Sequence, residues 1–262
     1  MVKHFDISGK NIIITGAARG IGKGIIRVLV ESGANVLCTA LTDVYLNKLA
    51  EELNLKGFNI EVLATDNTTV SGWDNTINLA LQKWGKIDVL INNLGDAISK
   101  PVSELPGDED GSSMTFIEWN KILDINLNHA FLGCKAIGPH FLHRKKGKVI
   151  NITGIAARQG SAQMAAYSAG KAGLARFTQS LALEWAPYNV LVNSIAPGAF
   201  PDTDLEDAEF LKERTEWAKA NVPLGRIGDL KEVGYLATYL ISDASNYMTG
   251  QTIYLDGGLT YT

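Results

Sequence analysis

Residues 11–22 read Asn-Ile-Ile-Ile-Thr-Gly-Ala-Ala-Arg-Gly-Ile-Gly, and this stretch decides the fold. Its first half is a short apolar run typical of a buried strand, and its second half is a glycine-rich turn that opens a helical segment. Glycines allow the tight turn, and the free N–H groups at the start of the helix attract phosphate. The order strand, glycine turn, helix predicts a dinucleotide-binding unit, although the spacing Gly-x-x-x-Gly-x-Gly differs from the more common Gly-x-Gly-x-x-Gly.

Six further apolar runs continue the pattern, with helical segments between them. A chain of alternating strands and helices forms a parallel sheet that is covered on both faces, and right-handed crossovers make it doubly wound. No composition break or internal repeat divides the chain, so we predict a single-domain α/β Rossmann fold over residues 1–262, with a seven-stranded, mostly parallel sheet. The runs after the first are residues 36–39, 60–63, 88–91, 148–152, 190–195 and 252–255.

The composition excludes several classes of protein. The 262 residues carry a formal charge of −4, and the mean hydropathy is +0.03. No apolar run approaches the roughly 18 residues of a membrane span, and no long basic run suggests nucleic-acid binding. The N-terminal residues contain no apolar signal region, so we expect a cytoplasmic protein. Cys38 and Cys134 match no metal-ligand spacing and are interpreted as buried small apolar residues, so no metal site is expected.

Two acidic segments follow predicted strands. Residues 95–118 form an acidic loop insertion after the fourth strand, with the charges concentrated between Glu104 and Asp110. Most such loops are only solvated surface, but the carboxyl ends of strands are where doubly wound sheets bind ligands. Residues 199–221 form a second, predicted substrate-covering loop, which is acidic from Asp202 to Glu209.

The end of the second strand bears on the choice of cofactor. An acid at this position would bind the ribose 2′-hydroxyl of NAD(H), whereas its absence beside a basic residue accommodates the 2′-phosphate of NADP(H). The strand ends Thr39-Ala40-Leu41, and the first acid is Asp43. Arg19 in the glycine turn offers a guanidinium to a phosphate, although it could equally pair with a surface carboxylate. NADP(H) is therefore favoured, and NAD(H) remains possible.

Tyr167 and Lys171 are spaced four residues apart in a helical pattern, so they share one helix face. A lysine beside a phenol favours the ionised phenol, and a lowered pKa would let Tyr167 exchange protons with a reacting oxygen at neutral pH. A Tyr-x-x-x-Lys pair alone is common on protein surfaces. Asn126 lies between apolar neighbours, where it either caps or kinks a helix or holds water in a proton relay to the lysine.

Taken together, these motifs closely resemble those of the short-chain dehydrogenase/reductase family, over almost the whole chain from Gly16 to Gly258. The resemblance implies that Tyr167 is the catalytic acid/base. It also implies that Lys171 lowers the pKa of Tyr167 and holds the nicotinamide ribose, and that Asn126 is a relay residue.

The resemblance also assigns the cofactor contacts. Asp66 is expected near the adenine, Asn92 steadies the central sheet and the cofactor, and the backbone of residues 195–198 borders the nicotinamide. The predicted cofactor-binding residues are Gly16, Arg19, Gly20, Ile21, Gly22, Thr39, Ala40, Asp66, Asn67, Asn93, Gly95, Tyr167, Lys171, Pro197 and Gly198.

The chain departs from the family where a serine usually bonds the substrate oxygen, because Gly154 stands thirteen positions before the tyrosine. Thr153 or Ser161 could supply the missing hydroxyl, although strand alternation would aim Thr153 away. A water or the backbone N–H at Gly154 could do so instead. Alternatively, the ordinary carbonyl chemistry is impaired, and the protein catalyses another reduction or none. In a second departure, Asp202 stands where a threonine is often found, and Thr203 follows it.

The leading functional hypothesis is NADP(H)-dependent reduction of a small-molecule ketone, or the reverse oxidation of an alcohol, with Tyr167 as acid/base. An enoyl- or dienoyl-thioester reductase and a non-catalytic cofactor-binding protein remain as alternatives. If both acidic loops border the mouth of the site, they would repel phosphate-rich ligands and an acidic carrier protein, which favours a neutral or cationic substrate. Family resemblance further suggests a homotetramer.

Overall fold

In the computed structural model, which describes residues 3–202 and 205–261, a seven-stranded sheet forms the centre of the molecule. Every neighbouring pair of strands is parallel, and the strand order is β3-β2-β1-β4-β5-β6-β7. The predicted doubly wound fold is thereby confirmed. The strands are β1 (Asn11–Thr15), β2 (Asn35–Ala40), β3 (Glu61–Ala64), β4 (Val89–Asn92), β5 (Gly147–Ile152), β6 (Val190–Pro197) and β7 (Thr252–Leu255).

Helices cover both faces of this sheet. A single π-helical turn, Asp124–Asn128, joins two of them into one continuous helical segment. The α-helices are α1 (Gly20–Glu31), α2 (Val44–Leu55), α3 (Val70–Trp84), α4 (Phe116–Leu123), α5 (His129–Arg144), α6 (Ala165–Trp185), α7 (Ala208–Asn221) and α8 (Leu230–Ile241).

The apolar core has two halves, one on each face of the sheet. Successive side chains of a strand point to opposite faces. Ile12 and Ile14 of β1 therefore pack in one half, whereas Ile13 packs in the other. Cys38 and Cys134 are buried in opposite halves, and burial raises the pKa of each thiol to about 12. Both cysteines are thus buried apolar residues, as the sequence predicts.

Strands β1 to β3 are added toward one edge of the sheet, and strands β4 to β7 are added toward the other edge. The crevice at the carboxyl ends of β1 and β4 is therefore the topological switch point, where such sheets bind ligands. The glycine turn, the start of the acidic loop and the Pro197–Gly198 turn all leave the sheet at this edge. Within the described residues, no helix is both long and apolar enough to cross a membrane.

The two acidic segments differ in part from the prediction of loops. Residues 208–221 of the second segment form α7, because the carboxylate of Asp207 caps its first turn by accepting from Phe210 N at 2.8 Å. The first segment has no helix or strand up to Thr115, where a capping box with Glu118 starts α4. Thr203 and Asp204 lie outside the described residues.

Candidate active site

A cleft of about 790 Å³ opens at the switch point and extends from the glycine turn to α4. Its volume is in the range of ligand pockets, and its walls come from residues far apart in the sequence. The predicted cofactor residues that line it are Gly16, Arg19, Ala40, Asp66, Asn67 and Gly95.

The glycine turn is held tightly against the start of the acidic loop. A Cβ on Gly16 would lie 2.9 Å from Leu94 Cα, so a larger residue would push the two segments apart. Asn93 Nδ2 donates to the carbonyls of Thr15 and Gly16, each at 3.0 Å. Gly22 is equally confined, because its Cβ would meet Ala17 Cα at 2.4 Å. The turn thus has the close backbone approach and the helix N-terminus that fit a dinucleotide pyrophosphate.

Gly20 N, the first amide of α1, donates to Asp202 Oδ2 at 2.5 Å. Ile21 follows Gly20 in the first turn of α1. Sequence reasoning missed this contact with Asp202, because the two residues are 182 positions apart and nothing in either motif links them.

At the adenosine end of the cleft, Arg19 lies beside an aromatic ring that the sequence analysis did not single out. The guanidinium carbon of Arg19 lies 5.8 Å from the ring centroid of Tyr45, and Lys48 Nζ lies 5.6 Å from the same centroid. Thr42 and Tyr45 line the cleft directly after β2. Their position after the second strand is the only signal that could have identified them.

Thr39 does not face the cofactor cleft, contrary to the prediction. Its buried hydroxyl donates to Asn67 Oδ1 at 2.6 Å, and Asn67 Nδ2 donates to Thr76 Oγ1 at 3.0 Å. Both side chains therefore tie β2 to α3 rather than reaching a ligand, although Asn67 still forms part of the cleft wall. Asp66 beside it accepts from Thr68 N and Thr68 Oγ1, which fixes this rim.

The hydroxyl of Tyr167 lies near Gly154, the residue that stands where the family usually has a serine. A Cβ on Gly154 would stand 3.5 Å from Tyr167 Oη and 3.8 Å from the carbonyl oxygen of Pro197. Gly154 has φ +147°, a conformation that side chains rarely adopt. Gly198 N donates to Leu255 O at 3.0 Å, which fixes the turn after β6. The turn after β5, which contains Gly154, therefore lies close both to the phenol oxygen and to the end of β6.

Lys171 is buried one helical turn after Tyr167. Its Nζ donates to Ile152 O at 3.0 Å and lies 5.7 Å from the centroid of the Tyr167 ring. Burial lowers the pKa of this ammonium to about 8. A Cβ on Gly95 would lie 2.9 Å from Lys171 Nζ and 3.2 Å from Asn126 Oδ1, so these two polar atoms converge on Gly95.

Asn126 lies in the middle of the π-helical turn. Its Nδ2 donates to Asp96 O at 2.7 Å and to Ile122 O at 2.9 Å, while its buried Oδ1 has no hydrogen-bond partner among the described residues. A buried carbonyl oxygen needs a donor, and a water between Asn126 and Lys171 would supply one. π-Helical turns are frequent at functional sites, and here the turn presents Asn126 to Lys171. Asn92, which lies deeper in β4, donates to Asn151 Oδ1 at 2.8 Å and joins two central strands.

The expectation that Lys171 lowers the pKa of Tyr167 is wrong for this structure. Burial disfavours the phenolate and raises the pKa of Tyr167 instead. The ammonium of Lys171 donates to a backbone carbonyl and makes no hydrogen bond to the phenol. Tyr167 is therefore protonated at neutral pH, which suits a proton donor.

The two side chains considered as replacements for the serine are not equivalent. Thr153 Oγ1 is buried, lies 2.8 Å from Ser194 Oγ, and donates to Ile195 O at 3.1 Å. This hydroxyl points into β6, as strand alternation predicts, so Thr153 cannot supply the missing contact. Ser161 lies in the exposed loop before α6.

The acidic loop is attached to this same loop before α6. Lys100 N donates to Gln163 O at 2.9 Å, and Ser99 Oγ donates to Gln163 Oε1 at 3.2 Å. Gln163 precedes Tyr167 by only four residues, so these contacts bring the acidic loop to the rim of the site. Within the loop, Glu104 accepts from Ser113 Oγ at 2.7 Å, which holds the pKa of its carboxyl below the ordinary value.

This chain is similar to known proteins over almost its whole length. Residues 16–260 match the family model described as Enoyl-(Acyl carrier protein) reductase. The 3-oxoacyl-[acyl-carrier-protein] reductase FabG of Chlamydia pneumoniae is 35% identical over 253 residues, covering 97% of this chain and 98% of the relative. FabG of Vibrio harveyi is 34% identical over 254 residues, with the same two coverages.

Solved structures resemble the whole chain as well. A gluconate 5-dehydrogenase from Burkholderia cenocepacia, in complex with NADP and tartrate, has a TM-score of 0.84 and 29% identity, covering 99% of this chain and 98% of that one. A short-chain type dehydrogenase/reductase from Mycobacterium marinum has a TM-score of 0.86 and 28% identity, covering 100% and 99% of the two chains. The similarity thus extends over both the cleft and the Tyr167 region.

Proposed function

Because this chain belongs to the short-chain dehydrogenase/reductase family and is an oxidoreductase of that family, we propose that it uses NADP(H) to reduce a small-molecule ketone to a secondary alcohol, with Tyr167 as the proton donor. The observation that carries this proposal is the half-buried Tyr167 hydroxyl, which lies beside Gly154, just after the carboxyl end of β5.

Different residues of the site bind the cofactor, donate the proton and return a proton to the donor. A nicotinamide dinucleotide supplies the hydride when bound. The glycine turn and Asp66 hold its phosphate and adenine ends, and Lys171 holds the nicotinamide ribose. Tyr167 donates its proton to the substrate oxygen as charge develops there, and its raised pKa keeps that proton in place until then. Lys171 and Asn126, with a water between them, form the path that returns a proton to Tyr167.

The oxygen that accepts this proton needs a second donor, which the family obtains from a serine. Gly154 leaves room beside Tyr167 Oη, and Thr153 is engaged with β6. We assign the second donor to a water or to the backbone N–H at Gly154. The space left by the missing side chain also accommodates a bulkier substrate.

We expect Arg19→Ala to raise the KM for NADPH about tenfold or more, because a guanidinium makes strong charge-assisted hydrogen bonds to phosphate. NADH has no 2′-phosphate, so its KM should change little. Steady-state kinetics with both nucleotides measures the effect. The matched control is Arg176→Ala, which removes an exposed arginine outside the cleft. An equal change in KM for the two nucleotides would contradict the assignment of NADP(H).

The substrate class separates the ketone proposal from a thioester reductase, which the names of the relatives and of the family model favour. The acidic loop at the rim would repel both coenzyme A and an acidic carrier protein, and added salt would screen that repulsion. Simple cyclic ketones and acetoacetyl-coenzyme A should be compared at two ionic strengths by NADPH absorbance. Efficient, salt-insensitive reduction of the thioester would favour the relatives' activity; turnover of neither substrate, with NADPH bound, would favour a non-catalytic protein.

The reduction rate should fall as the pH rises through about 8, because the buried ammonium of Lys171, whose pKa is about 8, then loses its charge. The folded pKa lies below the unfolded value of about 10.4. Between these two values the unfolded chain binds more protons, so this group makes the fold more stable as pH rises, and unfolding does not explain the loss.

A profile of kcat/KM from pH 6 to 10, with circular dichroism at each pH, tests this expectation. Lys148 is the control, because burial also lowers its pKa to about 8 but it lies in the first half of β5, donating to Ser242 O. The falling limb should persist in Lys148→Arg. A rate that stays constant up to pH 9.5 would contradict the role of Lys171.

The homotetramer and the cytoplasmic location also remain predictions.

A further inference from the structure

The carboxylate of Asp202 occupies the N-terminus of α1, at the glycine turn. Its Oδ2 accepts from Gly20 N at 2.5 Å, and its Oδ1 lies 3.9 Å from Lys23 Nζ. The Asp202 side chain is only 10% exposed. The contact is therefore largely shielded from solvent.

This contact supplies a cap that the local sequence lacks. Arg19 is the N-cap residue of α1, and its side chain makes no capping hydrogen bond. A carboxylate at this position satisfies a free N–H and interacts favourably with the positive end of the helix dipole. Asp202 thus stabilises the start of α1 from a segment that follows β6, five residues after Pro197.

The same N–H groups and the same dipole are what a dinucleotide pyrophosphate requires. Two anions within a few ångströms of each other repel strongly at a partly buried site. Resting on the dinucleotide binding proposed above, we propose that Asp202 is a built-in competitor of the cofactor pyrophosphate, and that cofactor binding displaces its carboxylate from Gly20.

The chain around Asp202 limits how far this displacement extends. Phe200 packs against the apolar core and fills the space beside Gly228, where a Cβ would meet the Phe200 ring at 2.2 Å. Gly228 N donates to Ala199 O at 2.9 Å. The turn up to Phe200 is therefore anchored, and the rearrangement begins at Pro201.

Asp202→Ala tests the competition through two measurements, because the stability of the free protein should fall while its affinity for the nucleotide rises. Without nucleotide, loss of the cap should lower Tm by about 2–4 °C. The Kd for NADPH, followed by quenching of tryptophan fluorescence, should fall about tenfold, because the nucleotide no longer displaces a charge-assisted hydrogen bond. Inorganic pyrophosphate, used as a probe in thermal-shift titrations, should likewise bind more tightly. A merely structural role would weaken both stability and binding.

Two further variants make the test specific. Glu206→Ala removes one negative charge from an exposed position in the same segment and should change the Kd less than twofold. Asp202→Asn keeps an oxygen that can cap the helix and loses the charge, so Tm should stay near the wild-type value while the Kd still falls. An unchanged or weaker affinity in both Asp202 variants would overturn the competition alone. Failure of the wild-type protein to bind NADPH or NADH would overturn the proposed function itself.

Discussion

Tyr167→Phe should lower kcat about 1,000-fold while leaving the Kd for NADPH within twofold of the wild-type value. The variant removes only the hydroxyl, and a positioned general acid contributes about 10²–10⁴ to the rate. That hydroxyl lies beside Gly154, whereas the cleft proposed to hold the dinucleotide begins at the glycine turn. Single-turnover oxidation of NADPH measures the chemical step, and fluorescence quenching measures the binding of the nucleotide.

The matched control is Tyr247→Phe, because Tyr247 is fully exposed to solvent and the same atom is lost there without contact to the site. This control should keep full activity. If Tyr167→Phe retained more than a tenth of the wild-type rate, the proton would come from elsewhere. The protein would then be either a reductase of another type or a binding protein with slow background turnover.

The strands and the glycine turn were predictable because their causes are local. A run such as Ile12–Ile14 must be buried on both faces, and the three glycines between Gly16 and Gly22 follow this run directly and precede a helical segment. The alternation of side chains along β5 also indicated that Thr153 points away from the substrate. The alternation of side chains along a strand and the backbone dihedral angles that require glycine in a tight turn depend only on neighbouring residues. Both can therefore be predicted without knowledge of the rest of the chain.

Features that depend on distant segments were not predictable. The hydrogen bond between Gly20 and Asp202 joins residues 182 positions apart, and no periodicity specifies it. The π-helical turn at Asn126 inserts one residue per turn into an otherwise ordinary helix, and this insertion leaves no signal in the sequence. The pKa of Tyr167 depends on how deeply the fold buries it, which the spacing to Lys171 does not reveal.

Gly154 stands where the family usually has a serine, and two variants at this position should change the reaction rate strongly. Gly154→Ala and Gly154→Ser both impose a side chain at φ +147°, so both should lose stability by a similar amount, about 1–3 kcal/mol. The methyl group of Gly154→Ala would occupy the space 3.5 Å from Tyr167 Oη, where a water would otherwise donate to the substrate oxygen. Loss of one such donor costs about 10²–10³ in rate, so Gly154→Ala should be about 100-fold slower than the wild-type protein.

Gly154→Ser restores a hydroxyl at the position where the family usually has one, with the same backbone strain. It should therefore be at least tenfold faster than Gly154→Ala, since the comparison cancels strain and leaves only the hydrogen bond. Thermal unfolding of both variants checks that their stabilities match, and kcat for the best ketone of the panel measures the difference. If Gly154→Ala were as active as the wild-type protein, no water would donate from this space, and the backbone N–H at residue 154 would remain as the second donor.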